Sequence, residues 1–519
     1  MGQGTVLSQL GTRMKSIVMS LWLAFALIFA ACGNDNNDND LYLGIDPPPP
    51  SGDIPAVPTG VTGNIVDDWQ RPIPDTGEPS RSYRNIWVRM FPILSAPYRD
   101  PYPLTQNIDR VDLYNSGTLR VYSQTTKSLL GEGQSVKFFF DQDRITIDGQ
   151  RISLERVWIS PINPAITTTA RWDRGRTNAM KLELRGQFVV QPTTHSKNLI
   201  PESFIDYQQD FGEQMYSISW MLMAEEEPKV WSLVNVLPVN DYLLSVVPSE
   251  VILSWHQEAL KAQAIAARTY ALFEMMESRE IIKRSWDVDP TTWFQSYRGH
   301  SFQKGNSAMR RMEVPRTTSA VNDTADLALF YNGDIIKAYF SSNSGGLTCT
   351  ASECFDLPTN PDYLVVKSDI DGIKEETGET GTWGRRSSLT KSNIIGKLRQ
   401  VGVRTSGFKQ IRNGVRGPST RTWQIAVEYT DGTEILLSRA DSRKIMPLFG
   451  PIRSYLYELS PMSGGVQQVV GHGFGHGVGM SQWGAQLHAV RGYSAREIVT
   501  FYYDSTDLVD MASGAVQKQ

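Results

Sequence analysis

The chain has 519 residues, with 51 Lys plus Arg set against 55 Asp plus Glu for a formal net charge of -4. That balance, without a long basic run, excludes nucleic acid as a partner on electrostatic grounds. The 40% of hydrophobic and 10% of aromatic residues exclude global disorder, and the length exceeds one ordinary core, so two or more domains are expected.

Residues 1–31 read as a lipoprotein signal peptide. Arg13 and Lys15 precede an apolar run from Ile17 to Phe29 in which only Ser20 is polar. The run is shorter than the roughly 20 residues that span a bilayer as a stable helix. Ala30, Ala31 and Gly33 flank Cys32 as small residues flank an acylated cysteine, so Cys32 is the expected lipidation site, with Met14 as an alternative start. Phe29 stands where leucine is usual, which keeps simple secretion and an uncleaved anchor as competing readings. The expected location is exported, lipid-anchored to a membrane facing the periplasm or cell wall. Residues 32–55, rich in Asn and Asp and then in proline from Pro47 to Pro50, read as a disordered tether.

Residues 56–228 read as a β-rich region in which folding begins near Asn85. Short β-branched runs mark strands at Ile86–Phe91, Thr118–Tyr122, Val136–Phe140 and Lys181–Val190. Alternation from Arg144 to Leu154 around Asp148-Gly149 marks a hairpin, because that dipeptide supplies positive φ for a tight turn. The stretch from Gln191 to Glu227 has no clean period and reads as an insertion.

Residues 229–510 form the second expected domain, followed by a tail at 511–519. Asp241 to Val247 reads as a short helix stopped by Pro248, which cannot continue the hydrogen-bond ladder. Ser254 and Gln257 make a capping box for a longer helix, with Trp255, Ala259, Ala262, Ala266, Thr269, Phe273 and Met276 as its core stripe. Glu250 is thereby placed in the turn between two helices. Hairpins are expected for Ala328–Tyr331 with Ile335–Phe340 around Asn332-Gly333, and for Trp423–Tyr429 with Glu434–Leu437 around Asp431-Gly432. A glycine-rich loop from Gly471 to Gly479 leads to a short helix from about Ser481, and the capping box Ser494–Glu497 opens another. The fold class expected is α+β, a β-rich N-terminal part with a mixed α/β C-terminal domain.

Three segments gather polar residues that the local fold does not need. The first is Val247-Pro-Ser-Glu250 with the Ala-rich helix after it, where Lys261 and Arg268 lie about two turns apart on one face and could line one cleft. The second is Phe340 to Gly346. The third runs from Gly471 to Gln486, where alternating glycines cost conformational entropy unless the backbone needs positive φ or a ligand must reach it. Its spacing fits neither a dinucleotide fingerprint nor a P-loop. With Cys32 taking lipid, Cys349 and Cys354 remain as an even pair in an oxidising compartment, read as a disulfide or as half of a metal site.

These segments, in this order, resemble the SpoIID/LytB family, named for the stage II sporulation protein D. Val247-Pro-Ser-Glu250, the Glu-Ala-Leu-Lys-Ala-Gln-Ala-Ile-Ala-Ala-Arg-Thr-Tyr helix, Ser344-Gly-Gly346 and Gly473-Phe-Gly-His-Gly-Val-Gly-Met-Ser-Gln482 carry the resemblance, with echoes at Asp287–Gly299, Tyr363-Leu364, Trp383-Gly384 and Arg443–Ser454. It covers roughly Lys229 to Leu508. It implies lytic cleavage of peptidoglycan glycan strands, intact or stripped of stem peptides, with Glu250 as the catalytic acid and base and no cofactor. Ordinary glycosidases need two carboxylates. A lytic transglycosylase uses the sugar's own primary hydroxyl as nucleophile, so one glutamate suffices; burial against Val247 or Val251 could tune it.

On the same resemblance, Lys261, Arg268, Ser344, Gly345, His476, Ser481 and Gln482 become candidate substrate contacts. The bland alternatives are a helix-entry carboxylate for Glu250, solvated or paired cations for Lys261 and Arg268, and a structural role for His476. Some family members hold zinc near the Ser-Gly-Gly turn, but Ser341 stands where they have histidine and Leu347 offers no ligand, so no metal is expected and Cys349 with Cys354 is expected as a disulfide. His472 and His476 lack the helical face of a metal-binding pair, and His472 replaces a basic residue common in the family. A second class of reading is a non-catalytic wall-binding lipoprotein that enhances a cell-wall amidase, its partner; a third is a structural lipoprotein holding wall to membrane.

Overall fold

Alternation of apolar and polar residues before residue 240 builds one large curled sheet, and the helices after it cover a face of that sheet. The computed structural model describes residues 61–71, 78–91, 110–139, 144–153, 156–172, 180–192, 231–281, 284–290, 294–357, 359–369 and 384–517. The expected signal peptide, tether and most of the expected insertion lie outside the described residues. The fold is α+β and rich in strands. Among the described residues, no helix is long and apolar enough to cross a membrane.

Folding starts earlier than the expected Asn85. Helix α1 (Val61–Gln70) buries Ile65 and Trp69, one turn apart, in the main core, and Trp69 Nε1 donates to Asp326 Oδ1 at 2.9 Å. Twelve strands follow: β1 (Asn85–Phe91), β2 (Arg110–Ser123), β3 (Leu129–Phe139), β4 (Arg144–Ile147), β5 (Gln150–Ser153), β6 (Val157–Pro161), β7 (Thr168–Trp172), β8 (Met180–Leu184), β9 (Gln187–Pro192), β10 (Trp231–Pro238), β11 (Ser301–Lys304) and β12 (Arg310–Arg311). Their order is β1-β10-β9-β6-β2-β7-β8-β11-β12, with β3, β4 and β5 branching from β2 as successive hairpins. The sheet therefore runs across the boundary expected at 228/229, since β10 lies between β1 and β9 and β11 pairs with β8.

The β4–β5 turn has Asp148 and Gly149 at φ 45° and 87°, as the dipeptide requires. The strand expected over Lys181–Val190 is two strands. They break at Gly186 (φ +82°), where an added Cβ would stand 2.2 Å from the Val236 carbonyl oxygen.

Helices α2 (Val239–Glu250) and α3 (Gln257–Met276) follow β10 directly. Pro248 does not stop α2 as expected. Its missing N–H falls in the last turn, which Val251 N–H closes on the Val247 carbonyl at 3.2 Å while Ser249 Oγ donates to the Ser245 carbonyl at 2.8 Å. Nor does Ser254 cap α3: the cap is His256, whose Nδ1 accepts from Glu258 N–H at 3.3 Å, and Trp255 lies before the helix. Most of α3 is buried on all sides, because alanines let neighbouring segments approach closely.

Beyond α4 (Pro315–Asp323), strands β13 (Leu327–Tyr331) and β14 (Asp334–Ile335) turn at Asn332-Gly333 with φ 52° and 87°. The expected strand Ile335–Phe340 is interrupted. Lys337 turns inward to Glu274 (3.0 Å) and Glu277 (3.3 Å), and only β15 (Phe340–Ser341) resumes extended pairing. A short helix α5 (Ala351–Phe355) leads into β16 (Arg385–Thr390), α6 (Lys391–Gln400), β17 (Phe408–Asn413), β18 (Ile425–Tyr429), β19 (Glu434–Leu436), α7 (Arg439–Ile445), β20 (Tyr457–Leu459) and β21 (Val466–Gly471). The Asp431-Gly432 turn closes with Tyr429 N–H on the Thr433 carbonyl at 3.0 Å, only Gly432 of the two having positive φ. Finally β22 (Met480–Ser481), α8 (Gln482–Val490), α9 (Ala495–Tyr502), β23 (Asp507–Asp510) and β24 (Ala515–Gln517) complete the chain. The capping box at Ser494 and Glu497 is present with both reciprocal bonds.

Candidate functional site

Glu250 is the last residue of α2 and half-buried. Val247 behind it is fully buried, and Val251 packs partly buried on the core. Glu250 Oε1 accepts the backbone N–H of Ser296 at 2.9 Å. The segment that supplies this donor is anchored on both sides. Gln295 Nε2 donates to the Ala267 carbonyl of α3 at 3.1 Å, and Arg298 N–H donates to Ser245 Oγ of α2 at 2.9 Å. Tyr297 stacks on Tyr242 with centroids 5.2 Å apart and donates its hydroxyl to Asn235 Oδ1 of β10 at 2.8 Å.

The first and third segments meet across α3. Gln263 Oε1 accepts from Gln482 Nε2 at 3.4 Å, Trp255 packs edge-on to Trp483 at 5.2 Å, and His256 N–H donates to Gln486 Oε1 at 2.7 Å. Among the described residues, Gln263 Nε2 and Gln295 Oε1 are buried without a hydrogen-bond partner. An unused donor and an unused acceptor thus attach to α3 one helical turn apart.

The second and third segments are built into each other. Ser344 N–H donates to Ser481 Oγ at 3.3 Å, and Ser481 also caps α8 by accepting from Gly484 N–H at 3.1 Å. Asn343 and Phe474 exchange backbone bonds of 3.0 and 2.9 Å. Gly345 lies against Gly473, whose nitrogen would sit 2.9 Å from an added Cβ. Gly473, Gly475, Gly477 and Gly479 all have positive φ, of 78°, 98°, 77° and 69°. The demand for glycine comes from the protein's own packing: an added Cβ would meet Arg421 Nη2 at 2.1 Å from Gly477 and the Tyr339 oxygen at 2.1 Å from Gly479.

Several of the expected substrate contacts are engaged within the protein itself. Arg268 is fully buried, its guanidinium donating to Asn240 Oδ1 (3.2 and 3.1 Å), Leu327 O (3.2 Å) and Val321 O (3.3 Å), which leaves no surface for substrate. Burial lowers its pKa to about 9. Lys261 does share that face, but the face packs on α4: Lys261 Nζ pairs with Glu258 at 3.2 Å and Asp323 at 3.4 Å. His476 packs within its own loop and on two aromatic rings. Its Nδ1 accepts from Val478 N–H at 2.9 Å and its ring packs on Phe355 and Tyr339 at 5.1 and 6.2 Å. Burial first, then the Arg421 charge, push its pKa down to about 3, so the ring is neutral at physiological pH. Gln482 meets Gln263, while Ser344 and Gly345 meet Ser481 and Gly473.

The sequence reading missed Ser296, Gln263 and Arg421. Arg421 is buried and donates to the Leu347 and Ser344 carbonyls, both at 3.0 Å, so it holds the Ser-Gly-Gly turn from beneath. Gln263 had a signal, as the lone polar residue between Lys261 and Arg268. The zinc site raised by the resemblance does not fit. Cys349 and Cys354 are bonded to each other, Ser341 Oγ accepts from Gly477 N–H at 3.1 Å, and among the described residues no group of three or more His, Cys, Asp or Glu converges.

Comparison with known proteins bears on this arrangement. A family model described as stage II sporulation protein matches residues 227–331, which include Glu250, α3 and Ser296, and a domain of unknown function matches residues 361–479. Stage II sporulation protein D of Bacillus amyloliquefaciens is 31% identical over 286 residues, 54% of this chain and 76% of that protein. An uncharacterised protein of Brachyspira hyodysenteriae is 30% identical over 277 residues, 53% of this chain and 68% of that one. The amidase enhancer of Bacillus subtilis is 29% identical over 305 residues, 51% of this chain and 40% of the enhancer. With the half-buried glutamate and its amide donor inside residues 227–331, and 31% identity to a stage II sporulation protein D over 76% of that protein, the chain belongs to the stage II sporulation protein D family.

Proposed function

We propose that the protein is an exported lytic transglycosylase that cleaves the MurNAc–GlcNAc bond of peptidoglycan and leaves anhydro-MurNAc ends. The observation that carries this reading is Glu250 itself, a half-buried carboxyl at a helix end with Oε1 held by a fixed backbone donor. Ser296, which gives Glu250 its amide, its neighbour Gln295, and the Gln263–Gln482 pair on α3 are uncharged amides and hydroxyls. That composition suits a neutral glycan.

The glutamic acid gives its proton to the glycosidic oxygen as the bond from C1 of MurNAc breaks. The C6 hydroxyl of the same sugar then forms a bond to C1, and its proton passes to the Glu250 carboxylate. Atoms balance without water, and the acid is regenerated. Such proton transfers from a positioned side chain contribute about 10²–10⁴-fold in rate. The Trp255 and Trp483 pair gives the neighbourhood an apolar wall against which sugar rings pack.

Cys32 as a lipid anchor and export to the periplasm or cell wall belong to the same proposal, motivated by the sequence of residues 1–33. Metabolic labelling with a fatty acid, lost in Cys32→Ala, tests the anchor; labelling that survives rejects it. The activity is tested by digesting purified glycan strands, with and without stem peptides, and reading product ends by mass spectrometry. A second reading is favoured by the relative named amidase enhancer: the same surface would bind wall and enhance an amidase. It predicts glycan binding without cleavage and faster amidase turnover in the mixture.

A further inference from the structure

Glu250 takes its donor from the segment Gln295–Arg298, which is clamped from three elements. From the sheet, Asn235 of β10 accepts the Tyr297 hydroxyl at 2.8 Å, while its own amide is fixed by the Arg185 (2.8 Å) and Gln187 (3.1 Å) carbonyls. From α2, Tyr242 stacks on the Tyr297 ring and Ser245 Oγ takes Arg298 N–H. From α3, the Ala267 carbonyl takes Gln295 Nε2. Ser296, between these anchors, has one place to put its amide, and that place is Glu250 Oε1.

The contacts are also buried. Tyr242, Tyr297, Asn235, Gln295 and Ser245 are 0%, 3%, 0%, 1% and 1% exposed. Burial drives both phenols up from their ordinary value, so the stack beneath Glu250 stays uncharged across the working pH range. A rigid, neutral clamp of this kind supports a reacting group without competing for its proton.

Resting on the transglycosylase reading, we infer that Tyr297 is a positioning residue for the reaction: through its stack on Tyr242 and its bond to Asn235 it fixes the Ser296 amide, which in turn fixes the proton-carrying carboxyl of Glu250. Its contribution is orientation of the acid, not contact with the glycan. Binding and turnover should therefore separate. A misplacement of about 1 Å can cost about 10²-fold in rate.

The test uses the full chain and purified glycan strands. Tyr297→Leu should lower kcat about tenfold or more with KM changed by less than about twofold, and Tyr297→Phe, which keeps the stack, should recover to within about threefold of wild type. A rise in KM with kcat unchanged, or a loss in Tyr297→Phe as large as that in Tyr297→Leu, overturns the proposal. Amide hydrogen exchange at Ser296 supplies a readout that does not depend on activity. The amide should be protected in the wild type and exchange about tenfold faster or more in Tyr297→Leu, as local opening without global unfolding gives. Equal exchange in the two proteins rejects the clamp even if the enzyme is active. An inactive wild type with a protected Ser296 that Tyr297→Leu releases rejects the transglycosylase reading and leaves the clamp standing.

Discussion

Replacing Gly479 by alanine tests why the loop alternates glycines. Gly479 has φ +69°, and an added Cβ would lie 2.1 Å from the Tyr339 oxygen, 3.0 Å from the Tyr339 carbonyl carbon and 3.0 Å from Tyr503 Cε1. The carbonyl cannot swing aside cheaply, since it accepts from Met480 N–H at 3.0 Å and from the Tyr503 hydroxyl at 2.7 Å. The left-handed conformation costs an L-residue about 1–2 kcal/mol. Overpacking adds about 1–3 kcal/mol, and yielding one of the two bonds about 0.5–1.5 kcal/mol. The expected loss for Gly479→Ala is about 3–5 kcal/mol on these terms. Gly465→Ala is the control, because Gly465 has φ +79° but nothing within 4 Å of an added Cβ, so only the conformational cost of about 1–2 kcal/mol applies. Urea denaturation of both variants gives the difference. Equal losses, within about 0.5 kcal/mol, would refute the close-approach argument.

Other outcomes follow from the site. Burial, then the Arg421 charge, push the His476 pKa down to about 3 in the folded protein, whereas an unfolded histidine has a pKa of about 6.5. The unfolded state therefore binds more protons between those values, and stability should fall as pH drops through that window, by up to about 1.4 kcal/mol per pH unit. His476→Asn should flatten that slope in denaturation curves taken from pH 7 to pH 4; an unchanged slope would contradict the burial of the ring. Lys261→Ala should leave glycan affinity within about twofold, because it removes only a partly exposed pair, whereas Arg268→Leu should cost about 3 kcal/mol or more by orphaning the Asn240, Val321 and Leu327 acceptors. Calorimetry of glycan binding and thermal melts check the two. Treatment with EDTA should leave the melting temperature unchanged, while reduction of the Cys349–Cys354 bond should lower stability by about 2 kcal/mol, as for any short loop.

Local chemistry was legible wherever one or two residues decide the outcome. The Asp148-Gly149 and Asn332-Gly333 turns and the Ser494–Glu497 cap depend on dihedral preference and a side chain within reach, and each forms where the sequence places it. The three segments were legible as a group, but their mutual packing was not. Spacing correctly put Lys261 and Arg268 on one face, yet nothing in the spacing tells a cleft from the flank of α4. Pro248 argued for a helix end because the rule weighs the lost bond, yet α2 runs on to Glu250, its last turn closed by Val251 N–H on the Val247 carbonyl and Ser249 Oγ on the Ser245 carbonyl. Ser254 met the capping pattern, but the Trp255 contact with Trp483 fixes the entry so that His256 caps instead. Ser296 lay inside the Asp287–Gly299 echo, but its own role was not legible because a backbone amide carries no residue identity. Gly186 split a strand for a similar reason, since its need is set by Val236, distant in sequence.

The central claim, that Glu250 is the acid and base of a water-free cleavage, is tested most directly on purified glycan strands digested in H₂¹⁸O. Wild-type protein should yield anhydro-MurNAc ends without ¹⁸O, and Glu250→Gln should yield none. Reducing ends that carry ¹⁸O, or anhydro ends that persist in Glu250→Gln, would contradict the account.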